Sequence, residues 1–161
     1  MGQNDDPHAE IGLGDLAWID TDGEPDMSRA INHYKVAMES GIPFAALRLA
    51  WAVLAGGSES AEKIDNARKY FESGTELRDA DAFAGLGWLK DRFGKTQVDL
   101  EIAFIDYTVA QYLYENSDDI ELARQVAGRR SSLAQLLTPK QVATRFFEVR
   151  RYMYLARINK Q

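Results

Sequence analysis

Two sets of small and apolar residues recur along the chain. Within each set, neighbouring members are directly adjacent or three to four residues apart. One set is an alanine, a leucine four residues later and then a very small residue. The other is an alanine, an aromatic residue and a small residue. Residues at this spacing share one face of an α-helix. The sets are Ala9/Leu13/Gly14, Ala45/Leu49/Ala50 and Ala82/Leu86/Gly87, and then Ala30/Tyr34/Ala37, Ala67/Phe71/Gly74 and Ala103/Tyr107/Ala110.

Both sets recur with a period of 36 or 37 residues. Such a period is typical of repeat proteins in which every repeat is a pair of helices. Small residues beside a leucine or an aromatic ring allow the two helices of a pair to pack closely. Turn-forming segments separate the helices. The pattern predicts helices over 8–18, 26–40, 43–55, 61–74, 79–92, 98–115, 119–136 and 139–158.

The predicted fold is all-α: a right-handed α-solenoid of antiparallel helix hairpins that forms one domain over residues 1–161. About three and a half repeats are expected. The full repeats cover 9–42, 45–78 and 82–115, and the helices within 119–158 end the array and cap it. A cap is needed because the last hairpin would otherwise expose an apolar face.

The segment from Asp26 to Gly41, DMSRAINHYKVAMESG, resembles the second half of a Sel-one-like repeat, a relative of the tetratricopeptide repeat. Leu13-Gly14 and Leu86-Gly87 are similar to the leucine-glycine pair in the first helix of that family. The resemblance covers 9–115 well and 116–136 loosely, and it departs from the pattern at Ala50, Asn66 and Ile102. It implies a solenoid of the bacterial Sel-one-like type.

By resemblance to tetratricopeptide geometry, the residue two positions after each structural leucine faces a concave surface, and so does the residue five positions after it. The resemblance implies that a partner protein binds in this groove. An alternative is that Trp51 and Trp88 fill the core between adjacent hairpins. The candidate partner-binding residues are Asp15, Trp18, Phe44, Arg48, Trp51, Trp88 and Asp91.

The function implied by the resemblance is a non-enzymatic protein-protein interaction module, acting as an adaptor, a scaffold or a regulatory subunit. The alternative is a small immunity protein that neutralises a toxic effector enzyme by direct binding. An inhibitor of that kind binds one enzyme and abolishes its turnover, whereas an adaptor binds two proteins or a segment of one.

The chemistry-bearing residues do not form an enzyme motif. The chain has no cysteine and two histidines, His8 and His33, so it lacks the ligands of a typical zinc site. It contains no GxSxG or SxxK pattern for a serine nucleophile. Acidic pairs such as Asp79/Asp81 fall at predicted helix starts, where free backbone N–H groups favour a carboxylate. We therefore expect no catalytic residue, no metal and no cofactor.

Charge is distributed unevenly, although the chain carries −6 in total. Residues 1–117 hold 10 Lys/Arg against 21 Asp/Glu, while residues 118–161 hold 9 against 4. The acidic body argues against nucleic-acid binding, which needs clustered basic residues. We expect the basic tail to be the solvated face of amphipathic helices. The alternative is that it binds an acidic protein surface, including the acidic body of another copy. The apolar face predicted opposite it comprises Leu133, Leu136, Leu137, Phe146 and Phe147.

The opening MGQNDDPHAE lacks the basic start and the apolar middle of a secretory signal, and no apolar run reaches the roughly 18 residues that cross a bilayer. We expect no membrane insertion. The compartment stays open: cytoplasmic if the first residues are native, periplasmic if a signal peptide has been removed.

Overall fold

The computed structural model describes residues 6–19, 23–42, 44–57 and 59–158, with side chains up to Met153. The described residues contain helices and no strand, so the predicted all-α class is confirmed, consistent with a solenoid of helix hairpins. Each helix begins and ends within two residues of its predicted bounds. The helices are α1 (Pro7–Ile19), α2 (Met27–Glu39), α3 (Ala45–Ala55), α4 (Ala61–Glu76), α5 (Ala80–Phe93), α6 (Gln97–Asn116), α7 (Ile120–Ala134) and α8 (Pro139–Ile158).

Side-chain caps fix several helix starts. The Asp26 carboxylate accepts a hydrogen bond of 2.9 Å from the Arg29 backbone N–H at the start of α2. Thr96 and Asp99 form a reciprocal capping box at the start of α6. The Asp79 carboxylate accepts a hydrogen bond from the Asp81 backbone N–H at 2.8 Å, which confirms that this acidic pair serves a helix start.

Three helix ends share one backbone conformation. Gly41, Arg78 and Asp118 each follow the second helix of a hairpin, and their φ angles are +85°, +57° and +62°. These values lie in the left-handed region, which suits glycine and strains other residues. The array therefore keeps the same helix ending at all three places, although glycine occupies only the first.

The chain divides into two compact units, residues 1–77 and 78–161. The first unit holds the hairpins α1/α2 and α3/α4, with α2 packed on α3. Its core is built largely from the residues of the repeating sets, including Ala30, Tyr34, Ala37, Ala45 and Leu49, all almost fully buried. A single continuous domain stays a prediction.

The second unit is built around α6. Helix α5 packs against one side of it, and both α7 and α8 pack on it as well. Ala103, Phe104, Tyr107 and Ala110 of α6 contribute to its core. Helix α8 runs in the same direction as α6, because Glu101 pairs with Arg145 near the starts of both helices, and Val109 clusters with Met153 further along them.

The tail helices depart from the predicted apolar face. Leu133 and Leu137 are buried as expected, but Leu136, Phe146 and Phe147 are 62%, 48% and 70% exposed. The expectation that all five face the core was wrong. Helix α8 instead buries Val149 and Met153 against α6, while Phe146 and Phe147 stay exposed.

Candidate functional site

Four of the candidate binding residues lie around one pocket in the first unit. Asp15 and Trp18 of α1 and Arg48 and Trp51 of α3 line it, together with Ile19 and Tyr34. The volume is about 470 Å³. We call it the α1–α3 pocket.

The repeating sets place these helices. Gly14 of α1 lies against the ring of Tyr34 on α2, and Tyr34 is 1% exposed. Because glycine has no side chain, α1 approaches α2 closely at this point. Leu49 of α3 is fully buried in the same core, which fixes the face that α3 presents. Arg48 directly precedes Leu49 and Trp51 follows it by two residues, and both line the pocket.

Two tryptophans supply most of the aromatic surface of the α1–α3 pocket. The Trp18 ring is tilted against Tyr34, with centroids 6.5 Å apart. Trp51 meets the buried Phe71 edge-on at 5.0 Å. Both tryptophans are half-buried, so each has one part held by the core and another part on the pocket wall.

The polar groups of the pocket are linked by a hydrogen bond and an ion pair that share Asp15. The Tyr34 hydroxyl donates a hydrogen bond of 2.6 Å to Asp15 Oδ1, and Nε of Arg48 lies 3.7 Å from the same oxygen. Burial, followed by the hydrogen bond to Asp15, raises the pKa of Tyr34, so its hydroxyl stays a donor. The Arg48 side chain is 56% exposed and presents its positive charge to solvent.

Phe44 lies outside the wall of the pocket. It is 42% exposed, and its ring centroid is 6.4 Å from that of His8. The other histidine, His33, pairs through Nδ1 with Glu10 Oε2 at 2.7 Å. Both histidines are therefore used in local contacts between elements of the first unit.

Trp88 and Asp91 belong to the second unit. Trp88 packs partly buried against its core, meets Phe93 edge-on at 5.7 Å and lies 5.6 Å from the Arg92 guanidinium. Asp91 accepts a hydrogen bond of 3.5 Å from the Tyr107 hydroxyl. The contact of Trp88 with the core agrees with the alternative interpretation of that residue, and its role in binding stays a prediction.

Sequence reasoning missed two residues of the pocket, Ile19 and Tyr34. Tyr34 was assigned only to packing because it occupies the aromatic position of its repeat. A signal was present: the second repeat has Phe71 at that position, while the first and third have tyrosine, whose hydroxyl needs a partner when buried. Those partners are Asp15 and Asp91.

Metal ligands do not cluster in the part of the chain that the structure describes, where no group of three or more His, Asp or Glu side chains could hold an ion. Within the same residues, every helix is too short or too polar to span a bilayer.

Comparison of the chain with protein-family models, with curated proteins and with solved structures finds no match in any of the three. The relation to Sel-one-like repeats therefore stays a prediction based on the residues quoted above.

Proposed function

We propose that the protein is a non-enzymatic interaction module that binds a partner protein at the α1–α3 pocket. The observation that carries the proposal is the convergence of Trp18, Arg48 and Trp51 on one pocket from two different helices. Tryptophan and arginine are the residue types most enriched among those that dominate binding energy at interfaces.

The chemistry of the wall indicates what would enter the pocket. Trp18, Trp51 and Ile19 form an apolar lining, which favours an aliphatic or aromatic side chain. The exposed guanidinium of Arg48 at the rim favours a carboxylate, which it can bind through two parallel hydrogen bonds. The proposed ligand is thus a partner segment with a large apolar residue next to an acidic one.

The polar groups of the pocket support binding rather than catalysis. Asp15 is engaged by Tyr34 and Arg48, and the raised pKa of Tyr34 makes its hydroxyl a poorer acid than a free tyrosine. A hydrogen-bonded chain of this kind holds Asp15 in place and orients the charged rim.

The test compares three forms of the full chain as bait in a lysate of the source cells, with captured proteins quantified by mass spectrometry. Arg48→Glu reverses the charge at the rim of the pocket. Arg29→Glu makes the same change on an exposed position of α2 that does not line the pocket. The proposal predicts partners that are retained by the wild type and by Arg29→Glu and lost from Arg48→Glu. Equal capture by all three forms contradicts it.

A captured partner also separates the two modes of action. An immunity protein would abolish the turnover of one captured enzyme at a molar ratio of one to one. An adaptor would leave its partner active and would retain a second protein.

A further inference from the structure

The outer surface of α1 carries an apolar stripe that is separate from the packed face of the helix. Leu13, Leu16 and Ile19 are 39%, 64% and 65% exposed, and they follow one another at three-residue spacing along the helix. We call this the α1 stripe. Large apolar side chains grouped on one exposed face are a sign of an interaction surface.

Comparison of the repeats shows that the α1 stripe includes a position that is buried in the other repeats. Leu13 is the structural leucine of the first repeat, and its equivalents Leu49 and Leu86 are 0% and 7% exposed. In an array of hairpins this position is covered by packing against other helices. In the first repeat this cover is incomplete, and the described residues leave Leu13 39% and Leu16 64% exposed.

A second apolar surface lies where α7 ends and α8 begins. Phe146 and Phe147 line a groove of about 580 Å³ together with Leu137, Val142 and Arg150, and the groove is open to solvent. Leu136, at 62% exposed, lies at the end of α7. We call this the α7–α8 groove.

Charge distinguishes the two surfaces. The first 28 residues of the chain contain eight Asp/Glu and no Lys/Arg, whereas residues 118–161 are basic. Near the α7–α8 groove, Lys140, Arg150 and Arg151 are exposed, and the acidic Glu148 is paired with Arg145. An acidic helix with an apolar ridge and a basic groove with apolar walls are complementary in charge and in apolar character.

From this complementarity we infer that the protein associates with itself head to tail, the α1 stripe of one copy lying in the α7–α8 groove of another. The contact is heterologous, because two different surfaces of the chain meet. The inference goes beyond the proposed function. Leu13, Leu16 and Phe147 do not line the α1–α3 pocket, although Ile19 of the stripe does.

Light scattering coupled to size exclusion tests the inference on the full chain. The wild type should increase in mass as the concentration rises from about 1 μM to about 200 μM, as for any reversible association. The increase should weaken between about 50 mM and about 500 mM salt, because screening reduces attraction between exposed charges.

Two variants decide whether the contact is head to tail. Leu16→Glu disables the stripe and Phe147→Glu disables the groove, so each variant alone should remain monomeric. Mixed in equal amounts they should form a complex of one copy of each, since one supplies an intact groove and the other an intact stripe. Val36→Glu, at a 44% exposed position on α2, should associate as the wild type does. Circular dichroism checks that all variants stay folded.

The inference is overturned by any of three results. The first is a wild type that stays monomeric over the whole concentration range. The second is a single variant that alone associates as strongly as the wild type. The third is a mixture that gives no complex of two chains. The last result, with both variants monomeric alone, would indicate that the stripe of one copy does not bind in the groove of another.

Discussion

Gly14 and Tyr34 lie in direct contact across the first hairpin. A Cβ atom placed on Gly14 would lie 2.7 Å from Cδ1 and 3.0 Å from Cζ of the Tyr34 ring. At Gly87, the equivalent position in the third repeat, the nearest atoms of Tyr107 would be 3.0–3.2 Å away. The small residue after the structural leucine therefore makes room for the aromatic ring of the partner helix.

Gly14→Ala should destabilise the protein. The Tyr34 ring is buried and cannot move away, so the added methyl group overpacks the core, at a net cost of about 1–2 kcal/mol. Gly12→Ala, on the exposed side of the same helix with nothing within 4 Å, should instead stabilise by about 0.5–1 kcal/mol. Urea unfolding measures both. A stable Gly14→Ala variant would show that the helices are not in this close contact.

Asp118 offers a stabilising substitution. Its φ of +62° suits glycine, so Asp118→Gly should raise the free energy of unfolding by about 0.5–1 kcal/mol. Gly41→Ala, at the matching position with φ of +85°, should lower it by about 1 kcal/mol. Thermal melts of the two variants should shift in opposite directions. A lower melting temperature for Asp118→Gly would contradict the assigned conformation.

Asp106 should make stability depend on pH. It is 8% exposed, and desolvation raises its pKa from 3.8 to about 6, although Lys90 at 3.1 Å acts in the opposite sense. Because the folded pKa lies above the unfolded one, folding favours the protonated form. The stabilisation from this group is complete below about pH 4 and is lost as the pH rises through about 6.

Asp106→Asn removes this titration. Relative to the wild type, the variant should gain stability on the order of 2 kcal/mol between pH 4 and pH 7. The difference between the two unfolding curves isolates Asp106, since the other titrating groups are common to both. Curves that stay parallel over this range would show that the Asp106 carboxyl titrates normally.

Glu101 anchors the start of α8. Its carboxylate accepts hydrogen bonds from Arg145 Nε at 2.7 Å and Gln141 Nε2 at 2.6 Å, and these bonds lower its pKa. Arg145→Met keeps an apolar stem but removes the charged donor, so the amides of α8 should exchange with deuterium faster. Arg151→Met, an exposed change on the same helix, should leave exchange unchanged. Unaltered exchange in Arg145→Met would mean that α8 is held by its apolar contacts alone.

The helices could be predicted because their determinants are local and repeated. Alanine, leucine and aromatic positions recur with one period, and capping residues such as Asp26 and Thr96 stand at the helix starts. Close packing of the two helices at small residues such as Gly14 was also expected from the sets, although its contact with Tyr34 was not named. Each of these features depends on residues near one another in a hairpin.

Other features depend on contacts that no short-range pattern contains. Arg78 adopts a glycine-like conformation although its residue type gives no sign of it, and Asp118 does so with a residue type that only tolerates this conformation. Phe146 and Phe147 fit an amphipathic pattern, yet α8 turns a different face to α6. The α1–α3 pocket itself was not predicted. Register assigned Asp15, Trp18 and Trp51 to a concave surface but could not show that Tyr34 lies beside them.

The most direct test of the central claim is the affinity of a captured, purified partner for the full chain, measured by isothermal titration calorimetry. The account predicts that Arg48→Glu weakens binding at least about tenfold, equal to about 1.4 kcal/mol. Arg29→Glu should bind as the wild type does. Equal affinities for all three forms would contradict the claim and would place the binding surface outside the α1–α3 pocket.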